Sequence, residues 1–241
     1  MRLDVYFTPA ELGASDLEGR TAVVIDVLRA TSTIIEALAN GARAVCPAGT
    51  TDEAVVLAQK LGREHVLLCG ERKSLKIPGF DLGNSPLEFT AEQVAGKTLV
   101  MSTTNGTPAL LAASGARRVL VAGYLNLSAV ARELAEEGEA VSIVCAGRER
   151  RFALEDAVCA GHLALALREQ LGRGLVLNDA GAVAVAMARG FGRSPLEAMR
   201  RTAAARQLVE AGLGADVEFC AAVDRVAIVP EFRQHQITVA G

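Results

Sequence analysis

The sequence predicts an α/β fold: a three-layer sandwich with a largely parallel or mixed sheet and a helix-rich C-terminal third. Three observations carry that expectation. Six short runs at 22–27, 43–47, 65–69, 98–103, 118–122 and 140–145 are rich in Val, Ile and Leu, as strands buried on both faces are. Helix-like segments lie between them at 32–40, 51–61, 86–94, 107–114 and 127–137, and such alternation builds a helix-covered parallel sheet. Beyond residue 153 the texture turns helical at 154–171, 179–189 and 195–211, before RVAIV (225–229) and QITV (236–239) return to strand.

Local signals set the helix starts. Thr51 or Asp52 suits the N-cap of the second helix, and Ser85-Pro86 reads as N-cap and first residue of the third, because Pro fits the first helical position. Ser194-Pro195 with Glu197 has the form of a capping box. Without a Pro/Gly/Ser-rich linker, one unit spanning 1–241 is expected, with sub-lobes 1–150 and 151–241 as its natural division. Gly41-Ala42-Arg43 recurs as Gly115-Ala116-Arg117, and Thr33 then aligns with Thr107. The repeat sets two Thr-rich loops in equivalent places, between a strand's end and a helix's start.

Composition narrows the function. Residues are 51% hydrophobic and the net charge is −3, which disfavours a nucleic-acid binder dependent on a basic face. No apolar run approaches the roughly 18 residues of a membrane span, and the N-terminus lacks a signal-peptide pattern. A cytoplasmic protein is expected, and a homo-oligomer is left open. The five cysteines are odd in number and form no C-x-x-C pair, which argues against disulfide or zinc frameworks.

Four places carry chemistry. In IDVLRATST (25–33), Asp26 ends a strand, Arg29 follows, and Thr31, Ser32 and Thr33 open a helix, where free N–H groups and the dipole favour an anion. Leu28 stands where an aspartyl-phosphate enzyme carries its second acid, so Asp26 reads as a metal ligand rather than a nucleophile. STTNGT (102–107) again sets hydroxyls and an Asn-Gly turn before a helix. The long connection 70–86 mixes Glu71, Arg72, Lys73, Lys76, Asp81, Asn84 and Ser85 with Ile77 and Phe80, and such loops serve function or remain solvated. In 145–161, Cys145 and Arg151 satisfy the C-x5-R spacing of thiolate phosphatases, although Val144 and Phe152 depart from that motif. Glu155 and Asp156 open the next helix and can ligate a hard cation.

As an ordered set, DVLRATST, GER…IPGFDLGNSP, TTNGT and CAG…LED resemble the motif series of the 2-phosphosulfolactate phosphatases, over most of the chain from about residue 20. The resemblance implies a magnesium-dependent phosphatase of coenzyme M biosynthesis, converting 2-phospho-3-sulfolactate to sulfolactate. By motif match it implies site residues Asp26, Arg29, Glu71, Arg72, Asp81, Asn84, Ser85, Thr104, Asn105, Gly106, Thr107, Glu155 and Asp156. Of these, Asp26, Glu71, Asp81, Glu155 and Asp156 are the expected metal ligands, and Asp26, Arg29, Glu155 and Asp156 the expected catalytic set. Thr31, Ser32, Arg72, Asn84, Ser85 and residues 104–107 are the expected substrate binders. The expected partner is a small anionic phosphorylated metabolite. A Cys145-dependent phosphatase and a non-catalytic phosphometabolite binder remain the alternatives.

Overall fold

The computed structural model describes residues 1–192 and 194–239. Arg193, Ala240 and Gly241 of the expected 1–241 unit lie outside the described residues. In the first half, strands β1 (Arg2–Tyr6), β2 (Thr21–Ile25), β3 (Ala44–Pro47), β4 (Val66–Arg72), β5 (Leu75–Lys76) and β6 (Thr98–Ser102) alternate with helices α1 (Ala30–Ala39), α2 (Thr51–Leu61) and α3 (Ala91–Val94). Helix α4 (Gly106–Ala112), β7 (Arg118–Ala122), α5 (Leu127–Glu137) and β8 (Val141–Cys145) follow. The C-terminal third holds α6 (Leu154–Leu171), β9 (Val176–Leu177), α7 (Asp179–Phe191), α8 (Pro195–Arg200), α9 (Ala203–Glu210), α10 (Gly214–Cys220) and the hairpin β10 (Pro230–Arg233) and β11 (Gln236–Val239).

All the strands join one mixed sheet in the order β5-β4-β6-β3-β11-β10-β7-β2-β8-β1-β9. On one side β4, β6 and β3 are parallel, with Val45 opposite Leu99 and Leu99 opposite Leu67. On the other side β7, β2, β8, β1 and β9 are parallel, with Val23 opposite both Leu120 and Ile143. The antiparallel β10–β11 hairpin bridges the halves, through Glu231 opposite Leu120 and Ile237 opposite Val45. Three antiparallel steps separate β3 from β7, so the two parallel halves run in opposite directions.

The order is also palindromic in connectivity. Chain β2-α1-β3 crosses from one half to the other, and β6-α4-β7 crosses back. Strand β4 lies beside β6 as β8 lies beside β2. The repeated Gly-Ala-Arg thus marks two units facing each other across the hairpin. Helices α1 and α4 pack in one cluster, with Ile34, Ile35, Ala109 and Leu110 against Ala22, Val24 and Val121 of one half and Leu99 and Met101 of the other. On the opposite face, Val23, Ile25, Leu120 and Ile143 pack against Val130, Leu134 and Leu163 from α5 and α6. Burying such a side chain fully contributes about 1.5–3 kcal/mol, so alternate residues of these strands anchor helices on both faces.

Several local expectations change. Thr50, rather than Thr51 or Asp52, caps α2 in a reciprocal capping box with Glu53. The helix expected at 86–94 shrinks to a 3-10 turn and the short α3, because Phe89 leaves helical geometry at φ −95°, ψ 54°. The helix expected at 195–211 splits into α8 and α9 where Thr202 caps Ala205 N–H. Ser194 makes no capping hydrogen bond. Segment 225–229 is not strand: Val226 N–H donates to Leu125 O and Asn126 to Ile228 O, so its backbone groups serve a loop and pairing begins at Pro230.

Candidate active site

The palindromic topology brings the exits of β2, β4, β6 and β8 to one cleft of about 330 Å³. Asp26 enters from β2 and is 6% exposed. It begins the turn into α1, where Thr31 Oγ1 donates to Asp26 O at 2.9 Å and Ala30 N–H reaches Asp26 Oδ1 at a long 3.4 Å. From the facing unit, the start of α4 presses against this turn. A Cβ on Gly106 would run into Ala30 Cβ and lie 2.7 Å from Asp26 Oδ2, so only Gly lets the two helix starts converge.

Burial pushes the Asp26 carboxyl up to about 7, with Glu71 and then Glu155 adding to the rise, against Ala30 N–H and Arg29. Burial likewise raises Glu155, which Arg148 opposes. Asp156 is raised by burial and by its neighbours Asp26 and Glu155, yet it accepts from Val27 N–H at 2.9 Å and Gly147 N–H at 3.1 Å. Those two bonds tie the β2 exit to the β8 exit, so Asp156 holds the walls together. Glu71 does the same across β4 and β6, accepting from Ser74 N–H at 2.9 Å and Thr104 N–H at 2.8 Å.

The cleft collects Asp26, Arg29, Glu71, Arg72, Asn84, Thr104, Asn105, Glu155 and Asp156 of the expected site residues. Six others do not line it. Thr31 and Ser32 spend their hydroxyls on Asp26 O and Val27 O inside the α1 turn. Gly106 and Thr107 are buried beneath the cleft floor, and Thr107 Oγ1 accepts from Thr103 N–H at 3.1 Å. Ser85 Oγ donates to Asp216 Oδ1 at 2.6 Å. Asp81 turns the other way, accepting from Leu68 N–H at 2.7 Å and pairing with partly exposed Arg63. As a metal ligand of this cleft Asp81 is therefore excluded by its position.

Two expected arginines line the cleft with their guanidinium groups already engaged. Arg72 donates to Glu71 O at 2.7 Å, Ser102 Oγ at 3.0 Å and Ser102 O at 3.2 Å, clamping the ends of β4 and β6. Arg29 donates to Ser74 O at 2.7 Å and forms a buried 2.6 Å ion pair with Asp216 on α10. Sequence reasoning missed Asp216, which sits in GADVEFC like any acid in a helix's first turn. It also missed Thr103 and Gln207, which line the cleft.

The donor set suits a hard cation. Asn84 is 4% exposed and lines the cleft, and its Oδ1 is buried with no hydrogen-bond partner. An orphaned amide oxygen on a residue lining the same cleft as Asp26 matches the oxygen ligation Mg²⁺ prefers. Among the described residues no three His, Cys, Asp or Glu side chains form a ready-made metal cage. A cation here would take few protein ligands and rely on substrate and water oxygens, as Mg²⁺ commonly does.

Cys145 does not reach the cleft. It is fully buried in the core of β2, β7 and β8, and burial pushes its thiol well up. Arg151 lies across a tight turn, exchanging backbone hydrogen bonds with Arg148. Cys145→Ala is expected to leave phosphate release within about threefold of wild type, since it removes only a core sulfur. A loss of about a thousandfold in a folded variant would restore the thiolate reading.

A profile described as 2-phosphosulpholactate phosphatase matches residues 6–235. A protein of Symbiobacterium thermophilum named "Probable 2-phosphosulfolactate phosphatase" is 43% identical over 226 residues, covering 94% of this chain and 97% of its own. Relatives of the same name from Thermotoga petrophila and Clostridium beijerinckii are 43% and 37% identical, covering 95% and 99% of this chain and 94% and 99% of their own. A match spanning nearly the whole chain, at these identities, places the protein in the 2-phosphosulpholactate phosphatase family.

Proposed function

We propose that this chain is a phosphoric monoester hydrolase that cleaves the phosphate from 2-phospho-3-sulfolactate, with Mg²⁺ held at Asp26. One observation carries the reading: a buried carboxylate facing a cleft, crowded by Glu71 and Glu155, whose cationic neighbour Arg29 is itself paired with Asp216. Such a cluster is costly unless a cation or proton balances it. Asp26 and the orphaned Asn84 Oδ1 would hold the metal, which would supply a Lewis acid for a phosphoryl oxygen.

The chain's own groups do the rest. Arg29, fixed by Asp216, sets a permanent positive charge beside Asp26 for a phosphate carrying about −1.5 to −2. Thr104 and Asn105 present polar groups where the β6 exit faces that charge. The leaving oxygen of a secondary alcohol needs a proton as its bond to phosphorus breaks. Glu155, raised by burial, is suited to hold that proton at a carboxyl oxygen and release it during cleavage.

Ionised Asp26 binds a cation and protonated Asp26 does not, so the sign follows from its pKa of about 7. At limiting Mg²⁺, phosphate release should rise with pH through about 7 and level off above it, with saturating Mg²⁺ moving the midpoint down. EDTA is expected to abolish release from 2-phospho-3-sulfolactate, and added Mg²⁺ to restore it. Full activity after exhaustive chelation would defeat the metal assignment, and no release from any 2-phospho acid would defeat the hydrolase.

A further inference from the structure

The palindrome extends to two hairpin tips that overhang the cleft. After β4 the chain turns at Lys73 and Ser74, with φ of +52° and +69°, and returns as β5. After β8, the matching strand of the other unit, it turns at Glu149 and Arg150, with φ of +50° and +63°, between the bridged residues Arg148 and Arg151. Two successive left-handed residues form the tight hairpin turn usually built from Asn and Gly. Here neither tip carries a glycine, and both are held by the one loop between them. Thr104 N–H and Ser74 N–H share the Glu71 carboxylate, while Asn105 Oδ1 accepts from Glu149 N–H at 2.9 Å. Consecutive residues of the β6 exit therefore fix both tips at a set separation.

Among the described residues lining the cleft, the cations are Arg29, Arg72, Lys73 and Arg148. Arg29 is paired with Asp216 and already assigned to the phosphate, and Arg72 is spent on strand ends. Lys73 and Arg148 differ from them: among the described residues neither pairs with a carboxylate within salt-bridge distance. The partner of Arg148 is the neutral side chain of Gln207 on α9, which also lines the cleft. Two cations without an ion-pair partner, on fixed opposing tips, form a receptor for two anionic groups. Resting on the hydrolase reading above, we propose that Lys73 and Arg148 are the specificity-determining residues that read the two acid groups of the substrate other than its phosphate. Gln207 acts as a positioning residue that keeps the Arg148 guanidinium turned to the cleft.

The test separates acid-group recognition from hydrolysis. Binding of 3-sulfolactate and of inorganic phosphate to the full chain with Mg²⁺ is measured by calorimetry. Lys73→Met and Arg148→Met should each weaken sulfolactate binding about tenfold to a hundredfold, the scale of one charge-assisted contact, and phosphate binding less than about threefold. Lys73→Arg should keep sulfolactate binding within about threefold, because it keeps the charge. Unchanged sulfolactate binding in both Met variants, equal losses for both probes, or no binding of sulfolactate to wild type would overturn the assignment. If wild type binds sulfolactate through these cations yet releases no phosphate from its 2-phosphate ester, the hydrolase reading fails and the acid-group receptor stands.

Discussion

Asp26→Asn is expected to remove phosphate release while making the metal-free protein more stable at pH 8. The activity loss should reach about a thousandfold, the scale of deleting a group that organises transition-state charge. The stability gain follows from linkage. Asp26 has a folded-state pKa of about 7 against an ordinary value of 3.8, so the fold favours the protonated form. Its contribution is intact below about pH 4 and is lost as pH rises through about 7. At about 1.4 kcal/mol per pKa unit, ionised Asp26 costs the metal-free fold on the order of 4 kcal/mol at pH 8. Asn keeps the shape and cannot ionise, so it escapes that cost. Denaturation in EDTA at pH 5 and pH 8 should show wild type weaker at the higher pH and the variant losing less, the remainder coming from Glu155 and Asp156, which burial also raises. Added Mg²⁺ should then raise wild-type stability and leave the variant unmoved. A wild type equally stable at both pH values would show that no uncompensated charge is stored at Asp26.

The strand runs were legible because burial on both faces leaves little room for polar residues, and 118–122 coincides with β7. Strand β1 escaped notice, since RLDVY places the buried Asp4 among its apolar positions, and Asp4 is neutralised there by Arg20. The motifs DVLRATST and TTNGT correctly marked two strand-to-helix turns. Sequence alone could not separate residues that face the cleft from those that build the turn beneath it. Thr31 and Asp26 lie five residues apart, yet one hydroxyl closes the backbone while the other side chain meets the cleft. Arg72 illustrates the same limit, because an arginine on a polar loop shows its charge and hides whether carbonyls have claimed its donors. Partners distant in sequence were least visible: Arg29 and Asp216 are 187 residues apart, and nothing local to either announces the other.

That distant pair supports the second large effect. Asp216→Ala should destabilise the fold by about 3–5 kcal/mol, because removing one partner leaves a buried charge without compensation. Both side chains are nearly inaccessible, at 3% for Arg29 and 2% for Asp216, so water cannot replace the lost carboxylate. Ser85 loses its acceptor in the same step. For a chain of this size the melting temperature should fall by roughly 6–20 °C, at about 2–4 °C per kcal/mol. The double variant Arg29→Met, Asp216→Leu removes both charges and keeps most of the volume, so stability should recover toward wild type, as replacement of a buried pair by apolar groups often allows. Activity should not recover, because the cleft would lack the fixed charge that faces Asp26 and the phosphate. Recovery of stability without activity assigns the pair a functional role. If the double variant turned over substrate normally, Arg29 would be a structural tie between α1 and α10, and the phosphate would have to be held by other groups of the cleft.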